Sequence, residues 1–444
     1  MSDQPRSARS KGALWGAAYM VMAVLPLPLA LWRHADTGRG FWIEFGVALG
    51  FVGLAMMGLQ FALTARFRWV GRGLGLDDMM QVHRQAGILA VVFVLAHPVI
   101  LLVAHPPFVA FLDPRVNAPR TLALSLAVVA LILLVFLPLW RRRLGIPYEW
   151  WRLTHAGLAA IALLIGLAHV LMVGHYVSGV FKPAVWIAMT GGALVFLAHT
   201  RIWGPISTRR RPWRVAEVRP EVERVWTVAL HAEGHEGLRF LPGQFVWISL
   251  SRSPLSLQQH PFTVASSAEV PERVELTIKE LGDFTSRIGE VEPGTEAFLE
   301  GPYGAFSPDG TGAEALVFVV GGIGVTPAMS ALRTMRDRGD TRRVVVVYGA
   351  DTLEKVVFRE ELESLAESSD LDVRLILDNP PEGWEGDRGP ISPDHLQSAL
   401  DAAGDGEVHV FICGPELMMD AVESEVANLG HPRGQVHAER FNLV

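Results

Sequence analysis

Four histidines in the apolar first half of the chain form two pairs with the same spacing. His83 and His97 are 14 residues apart, and so are His155 and His169. On an α-helix, 14 residues fall about 40° short of four turns and advance about 21 Å, so both histidines of one helix share a face. Imidazole is a common ligand of haem iron. We therefore expect each helix to present two iron ligands at different heights.

The histidines lie in two of six long apolar stretches. A membrane-spanning helix needs about 20 mainly apolar residues. The third and fifth stretches run in the same direction because one span separates them, so His83 is expected level with His155 (the inner pair) and His97 level with His169 (the outer pair). Each pair could close both axial sites of one haem iron, which gives two stacked haems. The six spans are predicted at roughly 13–32, 42–64, 80–103, 121–140, 153–173 and 183–203.

Charge is divided between two unlike halves of the chain. The 444 residues are 50% hydrophobic and 19% charged, with a formal charge of -7. Up to Pro205 there are 17 Lys and Arg against 7 Asp and Glu, a charge of +10, and the remainder has 22 against 39, a charge of -17. This division argues against one uniform soluble domain and against disorder. We expect a membrane portion followed by a soluble portion, and no nucleic-acid partner.

Basic residues predict the orientation in the bilayer. With six spans, four basic sites fall on one side, which the positive-inside rule assigns to the cytoplasm together with the acidic second half. The first span is expected to be retained, because its apolar run exceeds the roughly 7–15 residues of a signal-peptide core. Arg84 and Arg152 adjoin the inner pair and could neutralise haem propionates or snorkel to the interface. The four basic sites are Arg6, Arg9 and Lys11; Arg66, Arg68 and Arg72; Arg141, Arg142 and Arg143; and Arg209, Arg210 and Arg211.

Cysteine usage excludes several kinds of redox centre. Cys413 is the single cysteine of the sequence. It can make no intrachain disulfide, and it cannot supply the several thiolates of an iron–sulfur cluster or of a Cys-based zinc site. Any redox chemistry must therefore use other cofactors.

The second half contains two successive secondary-structure patterns. Short β-type runs from about Pro212 to Phe306 predict a small antiparallel barrel. After Ala315, strands alternate with helical segments, which indicates a parallel α/β sheet. We thus predict a multidomain membrane protein: a cytoplasmic N-terminus (1–12), a six-helix transmembrane haem domain (13–205), a β-barrel domain (206–308) and a nucleotide-binding α/β domain (312–444).

Two loops of the α/β domain have the composition of phosphate-binding turns. The first strand runs directly into a glycine-rich turn that precedes a helix, and the free N–H groups of a helix N-terminus favour phosphate. A second loop, at Cys413, Gly414 and Pro415, also follows a strand, at the end where open α/β sheets bind ligands. The glycine-rich turn consists of Gly321, Gly322, Ile323, Gly324, Val325, Thr326 and Pro327.

Taken in order, these features resemble the ferric reductase and NADPH oxidase family of transmembrane flavocytochromes b, joined to a flavin reductase module of the ferredoxin–NADP reductase type. The resemblance extends from about residue 13 to 444. It implies an oxidoreductase of the plasma or inner membrane that takes electrons from cytoplasmic NADPH or NADH and passes them through FAD and two b-type haems to an outer acceptor. Among its motifs, His260 replaces the Arg of many soluble relatives, as in the membrane branch.

The resemblance also implies the cofactor-binding residues. The FAD domain would bind its flavin through His260, Pro261, Phe262 and Thr263, and the rest of FAD through Lys279, Gly282, Asp283, Phe284 and Thr285. The turns Pro242–Phe245 and Gly301–Gly304 match other barrel signatures of the family. NAD(P)H would bind Gly321, Gly322, Gly324, Val325, Thr326, Pro327, Cys413, Gly414 and Pro415. Phe441 would cover the flavin ring, and Phe441, Cys413 and Thr263 would be the catalytic residues.

The sequence leaves two alternatives for the electron donor and several for the electron acceptor. After the strand ending in Tyr348 and Gly349 the chain has Asp351, where members that prefer a 2'-phosphate often place Arg, so NADH stands beside NADPH. Oxygen as the acceptor would make the protein a superoxide-producing oxidase, and a ferric chelate would make it a ferric reductase. The His-Pro-Phe-Thr motif favours the oxidase. The alternatives are an electron-delivery subunit with an outer partner protein, and a haem-binding sensor or transporter.

Overall fold

The computed structural model describes residues 5–32, 38–65, 76–251 and 253–441. One compact unit lies within residues 9–203 and holds the apolar helices, and a second includes residues 204–441. Six of the basic side chains that we expect on the cytoplasmic side lie outside the described part of the chain: Arg6, Arg9, Lys11, Arg66, Arg68 and Arg72.

Apolar helices make up the first unit. Six helical stretches among the described residues are long and apolar enough to cross a membrane: Leu14–Leu31, Phe41–Leu63, Met79–Ala104, Pro114–Trp140, Tyr148–Val173 and Phe181–Thr208. The predicted six-helix architecture is therefore confirmed. The helices are α1 (Pro5–Val24), α2 (Pro26–Leu31), α3 (Phe41–Leu63), α4 (Leu76–Ala104), α5 (Pro114–Trp140), α6 (Tyr148–Val173) and α7 (Phe181–Ala198).

Proline and capping residues explain where the helices depart from the predicted bounds. The first span is divided at Pro26, whose nitrogen has no hydrogen to donate. Helix α5 begins at Pro114, earlier than predicted, because the Asp113 side chain caps its N-terminus by accepting a hydrogen bond from the Arg115 amide at 2.8 Å. Asn117 has non-helical backbone angles, so α5 is kinked within its first turn.

The surface of the helical unit is apolar, as a bilayer requires. Val103 is 79% exposed and Leu122 is 71% exposed, while Phe51, Leu163 and Trp186 pack in the interior. A continuous apolar surface of this kind is unfavourable in water and favourable against lipid tails. The last span continues from α7 through one π-helical turn, His199–Trp203, into the short helix α8 (Gly204–Thr208).

The predicted barrel is a six-stranded antiparallel sheet with the strand order β4-β3-β6-β1-β2-β5. An isolated bridge between Val264, just after β4, and Leu276 of β5 joins the two edges of the sheet. Trp213, Leu230, Ile248 and Leu276 fill its core. The strands are β1 (Trp213–Val222), β2 (Val225–Ala232), β3 (Phe245–Leu250), β4 (His260–Thr263), β5 (Arg273–Lys279) and β6 (Glu296–Tyr303).

The last domain is a parallel sheet with helices between its strands. Its order is β10-β9-β8-β7-β11-β12, so the direction of winding reverses between β7 and β11. Open α/β sheets bind ligands at such a reversal, beyond the carboxyl ends of the strands. The elements are β7 (Ala315–Gly321), α9 (Thr326–Arg338), β8 (Arg343–Ala350), α10 (Arg359–Ser368), β9 (Leu371–Leu377), β10 (Asp387–Arg388), α11 (Pro393–Ala403), β11 (Val408–Cys413), α12 (Glu416–Asn428) and β12 (Val436–Ala438).

Candidate functional site

The structure brings the four membrane histidines together in two pairs. The ring centroids of His83 and His155 are 6.3 Å apart, with an interplanar angle of 66°. Those of His97 and His169 are 6.2 Å apart, with an angle of 71°. Helices α4 and α6 therefore face each other with an imidazole pair at each of two levels.

Both separations fit one metal ion between the two rings of a pair. With a metal–imidazole bond of about 2 Å on each side and roughly 1.1 Å from ring centre to nitrogen, two axial imidazoles have centroids roughly 6 Å apart. The inner pair also contains an orphaned polar atom, because His155 Nδ1 is buried and forms no hydrogen bond with a described residue. Two facing imidazoles in an apolar bundle are the donor set that a bis-histidine haem requires.

Other helices place glycines and arginines beside these histidines. His97 Nδ1 lies 2.9 Å from the carbonyl oxygen of Gly46 on α3. The positive charge of Arg120 acts on His169, and that of Arg201 acts on His155. Arg120 lies on α5, and Arg201 lies in the π-helical turn that follows α7. Both are far in sequence from the histidines that they influence, so no local pattern indicates this proximity.

The arginines predicted beside the inner pair differ in their surroundings. Arg84 is exposed, whereas Arg152 is only 8% exposed and its guanidinium lies 5.6 Å from the centroid of the Tyr148 ring. The outer residues His105 and His175 contact aromatic neighbours, Phe108 and Tyr176 respectively, with centroids 4.6 Å apart in both cases.

The predicted flavin motif forms the edge strand β4 of the barrel. Thr263 is 5% exposed, and its Oγ1 atom has no hydrogen-bond partner among the described residues. The His260 ring stacks on Phe284 with centroids 4.2 Å apart, which joins the motif to the predicted Gly282–Thr285 loop. A buried hydroxyl without a partner is unfavourable unless a ligand supplies one. These residues fit a bound flavin.

One side chain joins the two turns that match other barrel signatures of the family, Pro242–Phe245 and Gly301–Gly304. The Gln244 side chain accepts a hydrogen bond from the Leu241 amide at 2.8 Å and donates to the Gly304 carbonyl at 3.0 Å. Gly243 has φ 90°, and a side chain there would collide with the carbonyl of Phe306, 2.1 Å away. Only glycine therefore fits this turn.

The loop after β5 is organised by Thr285. Its Oγ1 atom accepts hydrogen bonds from the amides of Leu281 and Gly282 at 2.8 and 2.9 Å. Lys279 is the last residue of β5 and is exposed, as is Asp283. An exposed cation next to an exposed turn suits a pyrophosphate group.

The two nucleotide loops are in direct contact. Strands β7 and β11 pair so that Val320 lies opposite Cys413. A Cβ atom on Gly324 would lie 2.3 Å from the Cys413 carbonyl oxygen, so backbone and glycine touch. The buried Tyr348 hydroxyl donates to the Gly322 carbonyl at 2.9 Å, and burial raises the pKa of Tyr348, which keeps this donor protonated. Thr326 is buried at the start of α9, where Pro327 occupies the first turn.

Cys413 itself has no exposed surface. Its side chain packs in the core with Phe318 and Phe411. The backbone of the Cys413–Pro415 loop, which contacts the glycine-rich turn, is the part that the structure brings to the carboxyl ends of the strands.

Asp351 follows β8 on the same edge of the sheet. Lys355 Nζ lies 2.5 Å from its carboxylate and Asn379 Nδ2 donates to it at 2.7 Å. The hydrogen bond from Lys355, then that from Asn379, lowers the pKa of Asp351. The carboxylate is therefore ionised at neutral pH.

Beyond β12, the chain is held near the barrel turn. The Glu439 amide donates to the Ile412 carbonyl at 3.2 Å, and Arg440 pairs with Asp420 at 2.6 Å and with Glu423 at 2.8 Å. A Cβ atom on Gly304 would lie 3.1 Å from Glu439 Oε1. Phe441, the predicted flavin cover, follows directly and is 40% exposed.

A buried arginine at the junction of the barrel and the parallel sheet was not among the predicted residues. Arg333 of α9 is 7% exposed and pairs with Glu275 of β5 at 3.2 Å and with Glu361 of α10 at 2.5 Å. Burial alone would raise the pKa of Glu275. The hydrogen bonds from Arg219 and the charge of Arg333 outweigh this effect and lower the pKa to about 2. This network fixes the two domains to each other.

Comparison with known proteins covers the chain in three consecutive segments. Residues 49–166 match the family described as ferric reductase like transmembrane component, residues 225–307 match an FAD-binding domain, and residues 318–424 match an oxidoreductase NAD-binding domain. The matched segments contain three of the four paired histidines (His83, His97 and His155), the β4 motif and both nucleotide loops, and His169 lies just beyond the first segment.

Individual relatives resemble the second half. Ferredoxin–NADP reductase B of Sorangium cellulosum is 30% identical over 236 residues, which are 52% of this chain and 96% of that protein. NADH–cytochrome b5 reductase 1 of Cryptococcus neoformans is 30% identical over 36% of this chain, which spans 58% of that relative's length. The crystal structure of the cytochrome b5 reductase domain of Ulva prolifera nitrate reductase has a TM-score of 0.46 at 21% identity, covering 52% of this chain and 98% of that one.

Proposed function

Because this chain belongs to the ferric reductase and NADPH oxidase architecture, in which a transmembrane component is joined to a ferredoxin–NADP reductase-type module for FAD and NAD(P)H, we propose that it carries electrons across the membrane through FAD and two b-type haems. The observation that supports the haems is the pairing of imidazoles at 6.3 and 6.2 Å. When bound, FAD takes up a hydride as an electron pair and the haem irons take single electrons.

In this proposal the second unit binds the electron donor and the flavin. Thr263 donates its unpartnered hydroxyl to the flavin, and His260 lines it while stacked on Phe284. Lys279 and the Gly282–Thr285 loop hold the pyrophosphate. Phe441 covers the ring until the nicotinamide replaces it.

The nucleotide would lie across the two touching loops. Gly321, Gly322 and Gly324 let its phosphates approach the backbone, and the N-terminus of α9 at Thr326 and Pro327 attracts their charge. Cys413, Gly414 and Pro415 would border the nicotinamide. Val325 is fully buried and anchors the turn to the core of the α/β domain.

We propose NADH as the preferred donor. Asp351 stands after β8, where the adenosine ribose of a nucleotide on the glycine-rich loop is expected, and a carboxylate accepts hydrogen bonds from ribose hydroxyls. A 2'-phosphate would be repelled by it. Lys355 offsets part of this repulsion. Asp351 therefore lowers the affinity for NADPH relative to NADH but does not prevent NADPH from binding.

The membrane unit would carry the electrons outward. His83 and His155 hold the inner haem, and His97 and His169 hold the outer one. The basic clusters support a cytoplasmic second unit under the positive-inside rule. With two histidines for each iron, oxygen would not need to coordinate the metal, and the outer residues His105, Arg115, Arg120 and His175 would border the place where the acceptor is reduced.

The proposed acceptor is oxygen, which takes one electron to give superoxide. Each NAD(P)H supplies two electrons and thus reduces two molecules of oxygen, leaving NAD(P)⁺ and one proton. A ferric chelate is the second candidate, favoured by the match of residues 49–166 to the ferric reductase like component. An outer partner protein would be a third destination.

The acceptors are separated by parallel assays on the purified full-length protein. Oxygen uptake that is matched by superoxide formation supports the oxidase. Negligible oxygen uptake with rapid formation of a ferrous chelate overturns it in favour of the reductase. Activity with neither, together with a stoichiometric outer protein that co-purifies, identifies electron delivery to a partner.

A further inference from the structure

One face of α3 consists of glycines that lie against α4. Gly46, Gly50 and Gly53 are spaced by four and three residues, which places them on the same side of the helix. A Cβ atom on Gly50 would lie 2.9 Å from His97 Nδ1 and 3.0 Å from His97 Cγ. Real Cβ atoms do not approach other atoms so closely, so any side chain at position 50 would displace the imidazole.

The same face also determines which nitrogen of His97 carries a proton. His97 Nδ1 lies 2.9 Å from the Gly46 carbonyl oxygen. A carbonyl oxygen can only accept, so Nδ1–H is the donor and Nε2 carries the free electron pair. An iron ligand whose other nitrogen donates to a carbonyl has a fixed tautomer and ring orientation.

We infer that Gly50 is a positioning residue for the outer histidine pair. Its missing side chain leaves room for the His97 ring to lie against α3 with Nδ1 on the Gly46 carbonyl, and this orientation directs Nε2 away from α3. The inference concerns the outer pair, because Gly50 and the Gly46 carbonyl lie against His97. Its haem-dependent part rests on the proposed function.

Close helix packing is a different explanation for glycines in a membrane helix, and the chain contains the variants that separate the two. A Cβ atom on Gly53 would lie 2.7 Å from Val94 Cγ2 and 3.0 Å from the Ala90 carbonyl, so it crowds α4 without touching a histidine. A Cβ atom on Gly58 would meet nothing closer than 3.9 Å. Gly53→Ala is thus a packing control and Gly58→Ala a neutral control in the same helix.

The first test measures haem in full-length Gly50→Ala, Gly53→Ala and Gly58→Ala proteins by the reduced absorption spectrum and by the electron paramagnetic resonance of the oxidised haems. We expect Gly50→Ala to lose or shift the signal of one haem of two, while both controls keep two unchanged signals. Unchanged signals in Gly50→Ala, or the same selective change in Gly53→Ala, would overturn the inference. A parent protein without haem would instead contradict the proposed function.

The second test covers a Gly50→Ala protein that fails to fold, and it requires no cofactor. Gly50→Ala is combined with His97→Ala, which removes the two atoms that the new Cβ would meet most closely. Thermal unfolding should show that Gly50→Ala lowers the melting temperature in the His97 background and has little effect in the His97→Ala background. Equal losses in both backgrounds would show that position 50 acts through packing alone.

Discussion

The two units of this chain place their reactive groups in opposite kinds of structure. In the membrane unit the histidines lie within long helices, one towards each end, and their relative positions follow from helix geometry. In the second unit the ligand-binding residues lie on an edge strand and on loops at the ends of strands, and backbone contacts such as that between Gly324 and Cys413 hold them.

This difference predicts how each unit responds to change. A helix in a bilayer keeps its backbone hydrogen bonds whatever its side chains are, so a histidine can be removed with little loss of structure. The second unit depends on a core formed by the hydrophobic effect and on a buried ionic network at the domain junction, where the loss of one charge weakens the interactions of its partners. Function should therefore be separable from folding in the first unit and linked to it in the second.

The largest effect is expected at the outer pair. His97→Ala or His169→Ala should abolish reduction of the outer acceptor while the rate of NAD(P)H-dependent flavin reduction stays within about twofold, because the flavin residues belong to the other unit. Stopped-flow absorbance at flavin and haem wavelengths measures both steps. Equal failure of both steps in a folded variant would show that this pair does not belong to the outer haem.

A smaller effect, on stability, is expected at the domain junction. Arg333→Met removes the cation that Glu275 and Glu361 share. Because Glu275 keeps Arg219 and Arg273 as partners, the free energy of unfolding of the second unit should fall by about 2 kcal/mol. Thermal unfolding followed by flavin release measures this loss. Arg336→Met, whose ion pair with Asp337 is at the surface, is the matched control and should change it by less than about 0.5 kcal/mol. Equal changes in the two variants would contradict the role of the network.

The same network makes a pH prediction. The pKa of Glu275 is lowered from its usual 4.5 to about 2, so its contribution to stability is fully present above pH 4.5 and is lost as the pH falls towards 2. The melting temperature of the second unit should fall over this interval, and Glu275→Gln should remove part of the slope. An identical slope in Glu275→Gln would assign the acid sensitivity to other carboxylates.

The smallest effect concerns the donor. Asp351→Ser removes the charge opposed to a 2'-phosphate and frees Lys355, so the ratio of kcat/KM for NADPH to that for NADH should rise about tenfold. Glu367→Gln, on the exposed side of α10, should leave the ratio unchanged. A parent that already prefers NADPH, or an Asp351→Ser protein with an unaltered ratio, would contradict the proposed preference for NADH.

Much of this architecture was accessible from the sequence, because periodicity along a helix survives folding unchanged. The 14-residue step predicted that His83 faces His155 and that His97 faces His169, and the chain resembles its family through motifs that are contiguous, such as His260–Thr263. The strand-turn-helix context of Gly321–Pro327 was equally visible. Local signals of these kinds need no knowledge of the packing.

Residues that act across the packing were not predictable. Arg120 and Arg201 are charged neighbours of the histidines from other segments, and Gly50 lies against His97 from α3. These relations follow from the helix arrangement and not from any motif. From the sequence, Arg333 is expected to be an exposed cation of a surface helix, and only the packing of α9 against the barrel buries it. The burial of Cys413 likewise depends on the aromatic core around Phe318 and Phe411.

The central claim is that two histidine pairs hold two haems that receive electrons from the flavin. It is tested most directly by the absorption spectrum of the purified full-length protein before and after addition of NADH, with haem and flavin quantified per chain. The account predicts two b-type haems and one FAD, with both haems reduced by the nucleotide. One haem or none, or haems that stay oxidised while the flavin is reduced, would contradict it.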